Sequence, residues 1–353
     1  MRALRALLAT LAVLGLGACK VDYGERPGVY RLVYASPYNP GHPFSQADIA
    51  WMKWVEDKSG GRIDIVPAWN ASLISSEQSM VELRHGVADI GLITPVYSRH
   101  GVHLVRAQSG FYGGVKSIED QVAVYNCLEA EFPTFREELA GLHVLAVQGG
   151  PLPGIVTRSK PVRRLEDMKG LRIRAPVELL PLLRRLGADP VNMPMAEVYS
   201  SLAKGVIDGV ISSPDTFRSL HFAEVSKYYT GLVVSRGAYP ARAISEQSWN
   251  RLPPDLRKLL DESGLVWEAA LADKVGASVK IGEDFGRKSG IVFLPFSAED
   301  QAVWNAAYNE EALASARGLK RYGVDGEPVF RRAQALSADL AAGRGLACTD
   351  QGA

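Results

Sequence analysis

Polar and apolar positions along the chain switch repeatedly between two periods. Arg31 to Ala35 alternates and predicts a strand, closed by the turn-rich run Ser36-Pro37-Tyr38-Asn39-Pro40-Gly41. Phe44 to Lys58 predicts an amphipathic helix, with Ile49, Met52 and Val55 at three-residue spacing along its apolar face. Ser59-Gly60-Gly61 stops it, and Arg62 to Pro67 alternates again as a second strand. A helix over Ser76 to His85 and a strand over Asp89 to Ile93 follow. Further on, strands are predicted entering Gln148 and over 171–175, and helices over 178–186 and 196–204. Pro253-Pro254 opens a helical stretch to about Lys288, roughly 50 Å long at 1.5 Å per residue, enough to brace two domains. Ser297-Ala298-Glu299-Asp300 reads as a capping box for the last main helix.

One passage occurs twice. Residues 82–93 read ELRHGVADIGLI and residues 201–212 read SLAKGVIDGVIS. Each has a helix end, a glycine suited to the left-handed position, an Asp, and an apolar strand. A similar strand stands upstream of each, at Gly61-Arg62-Ile63-Asp64-Ile65 and Gly170-Leu171-Arg172-Ile173-Arg174. Two matches in the same order predict two similar α/β domains.

Charge narrows the partners. Forty Lys and Arg stand against 39 Asp and Glu, so no basic footprint for nucleic acid or an acidic membrane surface is present. Hydrophobic content of 47% and charged content of 22% are those of a globular chain. The first residues read as an export signal: Arg2 and Arg5 precede a ten-residue apolar run, Leu7 to Leu16, too short to span a bilayer as a helix. It ends in Leu16-Gly17-Ala18-Cys19, similar to a bacterial lipobox, in which Cys19 is acylated after cleavage; an ordinary signal peptide with an incidental Cys is the alternative. Residues 19–29 then form a tether. Cys127 and Cys348 remain, a pair compatible with one disulfide outside the cytoplasm, or with a buried free Cys127 and a loose tail.

Catalytic chemistry finds no motif. GxGxxG after a strand, GxxxxGK[ST], HExxH and GxSxG are all absent. His100 and His103 lack a carboxylate cluster, so no metal site is expected, and no cofactor. Asp89 and Asp208, at echoed positions, are expected to serve turns and caps. What remains is a ligand cleft where the carboxyl ends of strands converge. The converging segments are Ser36–Phe44, Trp69–Ser76, Thr94–Tyr97, Gln148–Gly150, Arg174–Glu178 and Ser212–Asp215. They supply Tyr38, Asn39, His42, Asn70, Gln148, Ser212 and Ser213 as candidate contacts. Arg174, at a strand end beside a proline, offers a planar fork for a carboxylate. Pattern alone leaves open a solvated Arg balancing Glu178 or Asp215.

At these residues the sequence resembles the DctP-type solute-binding proteins of tripartite ATP-independent periplasmic (TRAP) transporters. The resemblance rests on 55–63 (VEDKSGGRI), 83–89 (LRHGVAD), 167–174 (DMKGLRIR), 193–202 (MPMAEVYSSL), 205–209 (GVIDG) and 249–254 (WNRLPP). It implies an α/β, two-domain, periplasmic-binding-protein-like (type II) fold with hinge strands and a long domain-spanning helix. The expected division is residues 30–147 with about 232–280 in one domain, and 148–231 with about 281–345 in the other. It implies capture of a small organic acid, delivery to a TRAP membrane permease, a periplasmic location and no enzymatic role. The family's carboxylate-binding arginine falls on Arg174, and its cleft positions fall on Thr94, Tyr97, Val177, Glu178 and Met195. The chain departs from the family at Ser212-Ser213-Pro214, where many members have Asn before Pro, and at Leu152, where some carry a second Arg. Sugar-acid binders have Glu and Arg where Thr94 and Tyr97 stand. Fewer charges imply a monocarboxylate with an apolar or aromatic body, while Glu178 could recognise an amine or a hydroxyl. A ligand sensor, or a periplasmic enzyme on the same scaffold, is the alternative function.

Overall fold

The structure, a computed structural model, describes residues 27–98 and 101–348. The signal segment, Cys19, most of the tether and His100 lie outside the described residues.

The described strands form two sheets. The first contains β1 (Tyr30–Ala35), β2 (Ile63–Ala68), β3 (Ile90–Leu92), β4 (Leu142–Gln148) and β10 (Tyr239–Ser245), in the order β2-β1-β3-β10-β4. The second contains β5 (Gly154–Thr157), β6 (Arg172–Arg174), β7 (Asp189–Val191), β8 (Gly209–Ser212), β9 (Tyr228–Thr230) and β11 (Val292–Leu294), in the order β7-β6-β8-β5-β9-β11. The first sheet's five strands match the first five of the second in order, and β11 adds an edge strand to the second. In each sheet the fourth strand, β10 or β5, runs antiparallel and has just crossed from the other domain. The crossings at 149–153 and 231–238 are therefore the hinge.

The sequence echo maps onto equivalent places. Helix α1 (Pro43–Lys58) covers the first sheet; α2 (Ser79–Arg84) leads through Gly86 into β3, and α4 (Met195–Ala203) leads through Gly205 into β8, with α3 (Ile118–Glu131) between them in sequence. Both glycines are left-handed, at φ 74° and 70°. Asp89 and Asp208 do the same work: the Oδ2 of each accepts a backbone N–H of the neighbouring strand, Val33 or Arg172, at 2.8 Å. Each Asp N–H also donates to the carbonyl of that same residue. The two carboxylates pin a strand start to its sheet and stay out of the cleft.

Helix α1 differs from its predicted face. Ile49 is 40% exposed, and the buried stripe is Asp48, Trp51, Met52 and Val55. The polar Asp48 sits inside because a buried Arg242 meets it there.

Helix α5 (Pro254–Lys288) braces both domains. Its first half packs on α1, where the Trp51 indole donates to Ser263 Oγ at 2.8 Å. Its second half lies on the turn after β8, so closely that a Cβ on Gly282 would overlap the Pro214 carbonyl oxygen and reach 2.5 Å from Asp215 Cα. In an ordinary helix Gly→Ala stabilises by up to about 1 kcal/mol. Here Gly282→Ala is expected to destabilise by roughly 1–3 kcal/mol through backbone displacement. A fall in the urea midpoint checks this; an unchanged or raised midpoint would refute the contact.

The expected division of residues 281–345 requires a correction. Helix α6 (Ala298–Gly318) begins in the second domain, burying Trp304, Ala307 and Tyr308 in its core. Its end, at Ala312 and Ala316, enters the core of the first domain. Helix α7 (Glu327–Ala341) completes that core with Val329, Phe330, Ala333 and Leu336, Phe330 packing edge-on to Phe111. The chain's end therefore returns to the first domain, since the apolar face of α7 has its matching surface on α3 and not on the second sheet. There the structure joins Cys127 of α3 to Cys348 in a disulfide with Cα atoms 5.0 Å apart, and Arg332 pairs with Glu131 at 2.7 Å alongside. Among the described residues no helix is long and apolar enough to cross a membrane.

Candidate functional site

The carboxyl ends of β1, β3, β6 and β8 face one another across a cleft of about 160 Å³ between the two sheets. Proline turns end the strands on this side. Pro176, beyond Arg174 and Ala175, arrests β6 and leads into the tight turn Val177–Leu179, while Pro95 opens the turn that carries Tyr97.

Arg174 is the centre of the site. It is 4% exposed, with Nε donating to the Met193 carbonyl at 2.9 Å and Nη2 to the Tyr97 hydroxyl at 2.6 Å. No carboxylate among the described residues lies within ion-pair distance of it. A buried guanidinium whose protein partners are both neutral is poised for an anion entering the cleft. Its bond to Tyr97 also joins the two domains, as does the bond from Ser109 Oγ to Glu178 Oε1 at 3.4 Å.

Aromatic rings make the opposite wall. Tyr38 stacks on His42 at 4.2 Å between centroids, and Phe44 meets both edge-on. The His42 Nδ1 accepts the Phe44 N–H at 3.2 Å and so caps α1, which requires an unprotonated ring nitrogen. Burial, then the nearby Arg242 charge, lower the His42 pKa to about 3, consistent with that duty. Tyr239 closes the wall, held by Gln148 Nε2 at 2.6 Å.

Of the sequence-derived candidates, Tyr38, His42, Thr94, Tyr97, Arg174, Glu178, Met195, Ser212 and Ser213 line the cleft. Thr94 is committed to its own loop, its hydroxyl donating to the Ser76 carbonyl and its N–H to Ser79 Oγ. Four candidates fall elsewhere. Asn39 is exposed and accepts from the Gly41 N–H at 2.9 Å as a turn residue. Asn70 is exposed at φ 61°, a left-handed position that Asn tolerates. Val177 does not line the cleft, because its turn directs Glu178 inward instead. Gln148 is buried behind Tyr239, supporting the wall without lining it.

Five polar residues of the cleft are absent from the sequence-derived candidates. Ser235 and Arg236 enter from the second hinge crossing, Tyr239 from the start of β10, Ser109 from a short turn and Thr216 from the helical turn after β8, none of them at the end of a parallel strand. The one available signal for Arg236 was a cation between Ser235 and Gly237 at a domain crossing. Asp215, the end of the converging segment Ser212–Asp215 and a possible partner for Arg174 by sequence, is bonded by Ser213 Oγ and belongs to the lining. Burial raises its pKa, against the opposing Ser213 hydrogen bond and the Arg236 charge. Among the described residues no group of three His, Cys, Asp or Glu could hold a metal ion, and His103 stacks on Tyr322 with centroids 3.7 Å apart.

Two α/β domains, a two-strand hinge and an interdomain cleft with a buried cation define a solute-binding protein of the bilobal kind. The bacterial extracellular solute-binding protein family 7, DctP, matches residues 35–316, and the chain belongs to that family. The uncharacterized protein YiiZ of Salmonella typhimurium is 26% identical over 87% of this chain and 94% of its own. A TRAP solute-binding protein from Rhodoferax ferrireducens, crystallised with copurified benzoate, superposes with a TM-score of 0.81 at 24% identity, covering 89% of this chain and 99% of that one. Another from Chromohalobacter salexigens, with bound D-glucuronate, gives 0.74 at 18% identity over 89% and 100%. The family is extracytoplasmic and serves transport. The chain is thus a TRAP-type solute-binding protein, whose class binds small ligands and works with a membrane permease.

Proposed function

We propose that this protein captures a small monocarboxylate with an aromatic or apolar body and hands it to its permease. The supporting observation is Arg174: a buried guanidinium, lacking any carboxylate partner among the described residues, in a cleft walled by Tyr38, Phe44, Tyr97 and Tyr239. Charge counting favours a single carboxylate. Glu178 and Asp215 both feel the attraction of Arg236, so a second ligand carboxylate would enter beside two protein carboxyls. Size agrees, since about 160 Å³ is close to the roughly 150 Å³ engineered cavity that takes benzene. The benzoate of the Rhodoferax protein is such a ligand. Catalysis has no constituency in this reading, and the protein binds and releases its ligand unchanged.

Mass spectrometry of small molecules released by denaturing the purified protein, followed by calorimetry, tests this. Benzoate is expected to bind at least about tenfold tighter than succinate, given the cost of burying a second carboxylate without a partner cation. Tighter binding of succinate would overturn the proposal.

The lipobox-like Leu16 to Cys19 supports tethering by a lipid on Cys19, with residues 1–18 removed as signal peptide. Such an anchor holds the binding protein close to its permease. The intact mass of the membrane-fraction protein decides it: a diacylated Cys19 is expected, and a mature N-terminus beyond Cys19 would refute the anchor.

A further inference from the structure

Two groups in the cleft are left over once Arg174 has taken a carboxylate. Glu178 projects from the turn after β6 to the seam between the domains, where its Oε1 accepts from Ser109. Its Oε2 is buried and has no hydrogen-bond partner among the described residues. Arg236 reaches the same cleft from the hinge crossing, its guanidinium lying over Gly150, where an added Cβ would come within 2.6 Å of Nη1. No hydrogen bond or ion pair holds that guanidinium among the described residues. Burial raises the Glu178 pKa, and Arg236 and Arg174 oppose the rise, so carboxyl and cation share one electrostatic neighbourhood. Behind Glu178, next to Tyr308, there is a satellite cavity of only about 10 Å³. That is at the threshold for one water, so a ligand substituent meets Glu178 only from the main cleft.

We propose that Glu178 and Arg236 jointly read a hydroxyl group on the ligand, making hydroxy-substituted aromatic monocarboxylates the preferred class. The inference rests on Arg174 holding the carboxylate, as set out above. A hydroxyl can accept from the guanidinium while donating to the carboxylate, and it can also accept from Glu178 in its protonated form. A second carboxylate on the ligand would confront Glu178 and Asp215. An ammonium would confront Arg236. An unsubstituted ring would cover Glu178 Oε2 and the Arg236 guanidinium without giving either a partner, a costly arrangement for desolvated polar atoms. The discrimination therefore comes as much from the penalty on the wrong ligand as from bonds to the right one.

The test is calorimetry on ligand-stripped protein with benzoate, 3-hydroxybenzoate, 4-hydroxybenzoate and isophthalate. At least one hydroxybenzoate is expected to bind about tenfold or more tighter than benzoate, the usual scale of a hydrogen bond to a charged group. In Glu178→Gln and in Arg236→Gln that ratio is expected to fall to about threefold or less. The ratio is compared within each variant, and urea midpoints verify that each is folded. If one variant does not fold, the ratio in the other decides. Benzoate bound as tightly as both hydroxybenzoates, a ratio unchanged in the variants, or a preference for isophthalate would each overturn the inference. Failure of the Arg174 assignment looks different: benzoate binding would survive in Arg174→Ala. Absence of binding by every one of these acids would overturn both.

Discussion

Arg174→Ala is expected to remove ligand binding while leaving the fold as stable as before, or more so. The guanidinium is buried, and its two hydrogen bonds go to a neutral carbonyl and a neutral hydroxyl, so the free protein carries an ionic group without an ionic partner. Removing it leaves no protein carboxylate stranded. The ligand's carboxylate, by contrast, would be stranded on entering the cleft. Truncating one member of a buried charge pair costs about 2–5 kcal/mol, or roughly 30- to several-thousand-fold in Kd. Arg174→Lys should recover only part, because an ammonium cannot bond Met193, Tyr97 and a carboxylate from one planar fork. Calorimetry with the acid that copurifies reads the loss, and thermal unfolding of the ligand-free protein reads the fold. Retained affinity in the Ala variant would displace Arg174 from the site. A large fall in ligand-free stability would show that it serves the core instead.

Asp48→Ala is expected to be the most destabilising of the substitutions considered. Asp48 Oδ1 accepts from Arg242 Nε and from Trp267 Nε1, both at 2.7 Å, and Oδ2 accepts from Arg242 Nη2 at 3.1 Å. Both charged side chains are essentially inaccessible, and the Arg242 guanidinium lies 4.4 Å from the Trp267 ring centroid. Without Asp48 the Arg242 charge stays buried and unpaired, at a cost of about 3–5 kcal/mol. The effect should reach the cleft, because Arg242 also donates to Gln148, which holds Tyr239 in the wall. The urea midpoint should fall with little change in slope, and affinity should fall with it. The double substitution Asp48→Leu with Arg242→Met removes both charges and should regain most of the stability, as apolar replacements of buried pairs commonly do. An unfolding free energy within about 0.5 kcal/mol of the parent's in Asp48→Ala would show that water reaches this cluster.

These residues also mark where sequence reading succeeds. The helices and strands around Gly86 and Gly205 were legible because their signals are local: a helix end, a left-handed glycine and an Asp within a few residues of an apolar strand. Repetition of that local signal was enough to imply two similar domains, and the sheets carry it at equivalent positions. Arg174 was legible for a related reason. A charge that keeps the alternation of a strand and stands immediately before an Ala-Pro stop has only the strand's carboxyl end to occupy, and the family resemblance gave it a role.

Other features needed the chain folded. Ile49 and Asp48 are adjacent, and spacing favoured the apolar one as the buried member. The choice went to Asp48 because Arg242, 194 residues away, arrives on β10 opposite it. Asn39 and Asn70 lie in segments that approach the cleft, yet turn geometry takes them to the surface. Arg236 carries no strand-end signature and becomes a cleft residue only because the hinge crossing passes over Gly150. The last helix returns to the first domain because its apolar face fits α3, a match between surfaces about 200 residues apart in sequence. Periodicity and turn chemistry act over a few bonds, so the sequence by itself determines the elements, the duplication and the strand-end place of Arg174. Which buried charges meet, and which side chains share the cleft, depends on sheet order and domain crossing, and those contacts exist only in the tertiary structure.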